Sequence, residues 1–122
     1  MQKDDSLQLI QQKAQSDGRI RVIALEHNAG VANTRNVGIN EAKGEFIALL
    51  DNDDLWTEDK LERQLALANS GADIVYCSYD FIDEQNNSIK NPFIVPQQTN
   101  FNKMLASSVI SCSTSFIKTE LM

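Results

Sequence analysis

Three carboxylates crowd into four positions at Asp51, Asp53 and Asp54, directly after the apolar stretch Phe46 to Leu50. Like charges at the end of a buried segment repel one another unless a cation or a protonation change relieves them. A divalent ion is the simplest relief. In an extended Asp-x-Asp the two side chains fall on one side of the chain, because successive side chains alternate. Hard oxygen ligands of this kind suit Mg²⁺ or Mn²⁺, ions that keep several waters and share the rest of their shell with a phosphate-bearing substrate. A solvated acidic turn that caps the following helix is the competing reading. An EF-hand is excluded, since counting from Asp51 the fifth position is Leu55 and the sixth is Trp56, where a ligand and a glycine are needed.

The second candidate is Arg35. At about 100° per residue from Val31, the residues Val31, Gly38, Ile39 and Ala42 share one helix face with Arg35 at its centre. A guanidinium on the core side requires an anion, and its planar fork suits a ligand phosphate or a carboxylate such as Asp51. A structural salt bridge is the alternative.

Alternating helices and strands must position these residues. The spacing of Leu7, Ile10 and Ala14 predicts a helix over Asp4 to Asp17, opened by Asp4-Asp5-Ser6 and ended at Gly18. Ile20, Val22 and Ala24 alternate as in a short strand that runs into the polar loop Glu26 to Gly30. A helix over Val31 to Lys43 follows, with Gly44 offering the left-handed conformation common just past a helix end. Glu45 to Leu50 reads as a strand covered on both faces of a parallel sheet. Thr57 is the expected cap of the next helix, with Glu58 and Asp59 in its first turn, Leu61, Leu65 and Ala68 as its buried stripe, and Gly71 as its end. Ile74 to Cys77 forms a further strand and Asp83 to Asn87 a polar turn. Phe101 to Leu105 reads as a short helix, and Ser111 to Ile117 is strand-like but rich in Ser and Thr. This alternation predicts right-handed βαβ units, with ligands beyond the carboxyl ends of the strands. Glu26 to Gly30 and Asp51 to Leu55 are the two loops at that position.

Composition sets the outer bounds. A chain of 122 residues, 42% of them hydrophobic, supports one core and one domain over 1–122. Its net charge of −6 and lack of a Lys/Arg cluster argue against nucleic acid as a partner. No apolar run approaches the roughly 20 residues of a membrane span, and the start MQKDDS has no apolar signal core, so a cytoplasmic location is expected. Cys77 and Cys112 have neither metal-site nor disulfide-scaffold spacing, which fits a reducing compartment.

Together these residues resemble a known family. The block Asn28, Gly30, Ala32, Arg35, Asn36 and Gly38, spelling N-x-G-x-A-x-x-R-N-x-G, is followed by Asp51, Asp53, Asp54 and Trp56, spelling D-x-D-D-x-W, and then by Lys60-Leu61-Glu62. The pattern is similar to family 2 glycosyltransferases of the GT-A fold. The resemblance implies an α/β Rossmann-like sheet in a three-layer α/β/α arrangement. It also implies transfer of a sugar, with inversion, from a nucleotide-diphosphate donor, a UDP-sugar first of all, to a hydroxyl of a glycan or lipid-linked acceptor. Asp53 would hold Mg²⁺ or Mn²⁺ against the donor phosphates, with Asp51 beside the ribose or as a second ligand. Arg35 would contact the nucleotide, Asn28, Gly30 and Asn52 would shape its loops, and Asp54 would support the metal site or cap the helix.

Departures from the family pattern carry their own expectations. The family's opening strands, with their Pro-x-Tyr-Asn and Asp-Asp-Gly-Ser segments, have no counterpart here. Nor does the later Glu-Asp pair that supplies the general base; Glu120 lacks matching context. The expectation is therefore a partial domain, its N-terminal strands missing and its base beyond the C-terminal end, inactive by itself and self-associating through an exposed sheet edge. In the parent protein it would work in the cytoplasm at the inner face of the membrane. His27 is expected at the surface, and Trp56, Tyr76 and Tyr79 in packing. Asp80 and Asp83 fit either the acceptor side or a solvated turn. Two other readings stay open: a phosphatase of the haloacid dehalogenase type using Asp51 and Asp53, although that family prefers Thr or Val where Leu55 stands, and a non-catalytic interaction fragment.

Overall fold

The structure, a computed structural model, describes residues 5–28, 30–100 and 110–122. The helix expected over Phe101 to Leu105 lies outside the described residues. The chain divides into two compact units, Met1–Lys43 and Gly44–Met122.

The first unit holds two helices, α1 (Ser6–Ser16) and α2 (Val31–Glu41). Long, unbranched side chains favour α1, and no glycine or proline interrupts it. It ends where the Asp17 carboxylate accepts hydrogen bonds from the Arg19 Nε at 3.0 Å and Nη2 at 2.8 Å. That guanidinium holds the Asp17 carboxyl below the usual carboxylate range. Of the residues whose spacing predicted α1, Leu7 and Ile10 are exposed, and neither helix buries a residue. The strand expected over Ile20 to Ala24 does not form among the described residues. Its alternation finds no neighbouring strand, and a lone strand has nowhere to place its backbone hydrogen bonds. Arg21 instead ties this stretch to the end of α2, giving Nη2 to the Glu41 carbonyl and pairing with the Glu41 carboxylate at 3.7 Å.

The second unit contains the core. Here β1 (Phe46–Ala48), β5 (Phe116–Lys118) and β2 (Ile74–Val75) form one sheet in the order β1-β5-β2. Both neighbours run antiparallel to β5, with Ile47 and Ile74 each opposite Ile117. The expected parallel sheet is corrected on this point: β1 and β2 share a direction, as βαβ geometry requires, but β5 lies between them and runs antiparallel to both. Ala68, Val75 and Phe116 are buried together, with Phe46, Ala48 and Ala72 packed against them. The Phe46 and Phe116 rings stack at 4.9 Å.

Between β1 and β2 runs α3 (Lys60–Asn69). The expected cap is corrected: Asp59, not Thr57, is the residue before the helix, it makes no side-chain cap bond, and Glu58 precedes the first turn. The helix starts with Thr57 giving its carbonyl to the Lys60 N–H and its hydroxyl to Asp59. At its end Gly71 takes φ +117°, while Gly71 N–H reaches the Ala68 carbonyl and Ala72 N–H the Leu67 carbonyl. These two bonds are the Schellman pattern that favours glycine. Gly44, by contrast, has no left-handed φ; a Cβ there would lie 3.3 Å from the Phe46 carbonyl oxygen. The buried stripe of α3 is also corrected: Lys60, Gln64 and Ala68 are buried, and Leu61 and Leu65 are exposed. The helix is rotated so that Gln64 meets the Thr114 carbonyl and Lys60 meets Gln64.

A hairpin of β3 (Tyr79–Ile82) and β4 (Ser88–Phe93) completes the unit. Its turn is the expected Asp83 to Asn87, where Asp83 Oδ1 accepts the N–H groups of Gln85 and Asn87 at 2.9 Å each, and Asn86 takes φ +65°. These backbone donors, that of Asn87 first, hold the Asp83 carboxyl below its ordinary range. Among the described residues no helix is long and apolar enough to cross a membrane.

Candidate functional site

The acidic turn leaves the carboxyl end of β1, where the chain can no longer stay in the sheet. Asp54 N–H closes it on the Asp51 carbonyl at 3.1 Å. A distant segment holds it in shape: the 3-10 turn Cys112–Thr114 presents the buried Ser113. Its hydroxyl accepts the Asp51 N–H at 3.0 Å and donates to Asp54 Oδ2 at 2.6 Å. Trp56 adds a bond from Nε1 to the Ser113 carbonyl at 2.7 Å.

Held in this way, Asp51, Asp53 and Asp54 each offer a carboxylate oxygen, and these oxygens all lie within 4.8 Å of one another. Oxygens around one octahedral ion of the Mg²⁺ type, at about 2.1 Å from it, stand about 3 to 4.2 Å apart. The cluster is thus a small side-chain adjustment away from a common ion, and its all-oxygen chemistry suits a hard cation. Asp51 is half-buried, while Asp53 and Asp54 are exposed, so a ligand has access from solvent. Asn52 is exposed in the same turn. Beside it opens a cavity of about 630 Å³, bounded by Asp53, Asp54, Trp56, Lys60, Cys77 and Asp80 among others. Asp80 is committed locally, accepting the Ser88 hydroxyl at 2.7 Å and the Phe81 N–H at 2.8 Å.

The predicted nucleotide-side residues Asn28, Gly30 and Arg35 belong to the first unit. Asn28 Oδ1 accepts the Gly30 N–H at 3.1 Å, and Gly30 takes φ +88°, a conformation that a side chain would strain. The Gly30 carbonyl then starts α2 by accepting from both the N–H and the hydroxyl of Thr34. Arg35 is half-buried one turn into α2. The face predicted around it is only partly covered: Ile39 and Ala42 are half-buried, and Val31 and Gly38 are exposed. His27 is exposed, as is Glu120. Trp56 and Tyr79 do pack, the latter stacked on Phe93 at 5.1 Å. Sequence reasoning missed Ser113, although a hydroxyl within an otherwise strand-like stretch is a signal that something polar meets it.

Comparison with known proteins gives the family. Glycosyl transferase family 2 matches residues 2–121. The UDP-Glc:alpha-D-GlcNAc-diphosphoundecaprenol beta-1,3-glucosyltransferase WfgD of Escherichia coli is 39% identical over 100 residues, covering 81% of this chain and 39% of that protein. The Escherichia coli enzyme of the same description, WfaP, is 34% identical over 99 residues, or 80% of this chain and 39% of its own. The succinoglycan biosynthesis protein ExoO of Rhizobium meliloti is 39% identical over 75 residues, or 61% of this chain and 22% of its own. The chain spans less than half the length of these relatives. Neither the phosphatase nor the non-catalytic reading is favoured by these matches. With its acidic turn at the end of a core strand and a family match running nearly end to end, the chain belongs to glycosyl transferase family 2.

Proposed function

We propose that this chain forms the donor-binding part of a glycosyltransferase that moves a sugar, with inversion, from a UDP-sugar to a hydroxyl of a lipid-linked glycan. The observation that carries the reading is the convergence of three carboxylates on a turn braced by Ser113. Asp53, exposed at the tip, and Asp51, anchored through its backbone, would hold Mg²⁺ or Mn²⁺. Bound there, such an ion supplies charge stabilisation for the departing diphosphate. Asp54 keeps the turn closed through Ser113, because one of its oxygens is committed to that hydroxyl. Arg35 contacts the nucleotide, with Asn28 and Gly30 shaping the loop before it and Asn52 adding a polar group to the acidic turn. The chain's setting is the cytoplasm at the inner membrane face, where a lipid-linked acceptor is reached. The GT-A architecture is completed as three layers, and the edges β1 and β2 support self-association, which sedimentation would register as a mass that rises with concentration.

Thermal shift with UDP, with and without Mn²⁺, tests the reading, since a ligand that binds only the folded state raises its melting temperature. A rise that requires both, and that shrinks in Arg35→Ala, is expected. Stabilisation by neither, or by UDP equally well in a chelator, defeats it.

A further inference from the structure

Lys60 faces the same cavity and has no role in the reading so far. It is 7% exposed, yet it makes no ion pair among the described residues. Its ammonium lies 4.1 Å from the centre of the Trp56 ring and gives one N–H to Gln64 Oε1 at 2.7 Å. Gln64, itself 4% exposed, donates its amide to the Thr114 carbonyl at 2.8 Å. The cation is thus held by the Trp56 ring and by Gln64, which the 3-10 turn fixes. Burial lowers its pKa, and burial also pushes the neighbouring Cys77 thiol up, so that group is a neutral neighbour and not a counter-ion.

An ammonium taken out of water without an anion is costly, and a ring face and an amide oxygen compensate it only in part. Two of its three N–H donors have no partner among the described residues. The other charged groups that bound the cavity are Asp53, Asp54 and Asp80, of which Asp80 is engaged by Ser88 and Phe81. A cavity of about 630 Å³ is large enough for a small-molecule group to enter.

We propose that Lys60 is a substrate-binding residue that receives a diphosphate oxyanion inside this cavity. This rests on the function proposed above, and the diphosphate has two sources: the nucleotide donor, or an acceptor carrying a sugar diphosphate. A compact ammonium on a fixed stem serves either, acting as a point charge on whichever oxygen is presented.

Calorimetric titration of the full chain with Mn²⁺ present tests this, comparing wild type with Lys60→Met. The probes are UDP, uridine, and an N-acetylglucosaminyl diphosphate bearing a short alkyl chain. The variant is expected to bind one diphosphate about tenfold to 100-fold more weakly and the other unchanged, which identifies the source. Uridine, lacking phosphate, should bind both proteins alike, and Lys60→Arg, which keeps the charge but not the shape, should bind the affected diphosphate more tightly than Lys60→Met does. If Lys60→Met does not fold, Lys60→Gln replaces it, retaining an amide donor toward Gln64. Unchanged affinity for both diphosphates in a folded variant overturns this inference alone. Failure of wild type to bind either diphosphate overturns it together with the reading on which it rests.

Discussion

In residues 5–43 two helices bury no side chain fully, whereas from Gly44 onward a short sheet contains the buried Ile47, Val75 and Phe116. The contrast extends to the hydrogen bonds. The first unit is fastened mainly by neighbours in sequence, such as Asp17 with Arg19 and Asn28 with Gly30. The second is fastened by segments far apart, with Ser113 reaching back to Asp51 and Asp54. Local contacts alone leave helices this short marginal in water, and burial and a shaped site require contacts between remote segments. The three carboxylates lie in the unit that has such contacts.

The strongest challenge to this contrast is Phe116→Ala. It removes the ring stacked on Phe46 and should cost about 3–5 kcal/mol. Hydrogen exchange should accelerate across 44–122, and an equal acceleration across 5–43 would erase the distinction between the units. Next is Asp53→Ala, expected to weaken Mn²⁺-dependent UDP binding about 100-fold, or about 2.8 kcal/mol, without changing the melting temperature of the free protein. Loss of stability with intact binding would make Asp53 a structural residue. Ser113→Ala should cost about 1–2 kcal/mol, because it leaves the Asp51 N–H and Asp54 without their shared partner. Denaturant titration checks the cost, and Mn²⁺ affinity should fall with it.

The smallest effect concerns the hairpin turn. The folded Asp83 pKa is depressed, so its contribution is present above the unfolded value and is lost as pH falls through the folded one. Asp83→Ala should therefore loosen the hairpin at neutral pH, with the difference from wild type fading below about pH 4. Amide chemical shifts of Gln85 and Asn87 followed against pH report it directly.

Much of this was legible in the residues themselves. The acidic turn, the three helices and the Asp83 to Asn87 turn all follow from local patterns of charge, spacing and backbone preference. The strand at Ile20 to Ala24 did not follow, because alternation describes a strand's faces and says nothing about whether a partner exists. β4 was hidden for the opposite reason: it is exposed along its whole length and contains Pro92, so no apolar alternation marks it. The face of α3 was misjudged because Leu61 and Leu65 are the more hydrophobic residues, while the carbonyl of Thr114 draws Gln64 inward. Ser113 depends on a contact that no local window contains.

That one hydroxyl has a thermodynamic consequence. Because Ser113 binds the backbone of Asp51 and the carboxylate of Asp54 at once, any ligand that redirects Asp54 must alter the bond that tethers the chain just ahead of β5. Occupancy at the turn and rigidity of the tether are then linked quantities, and linkage is reciprocal. Whatever tightens residues 111–118 from outside should change the affinity of the carboxylates by the same factor by which their ligand changes the tether.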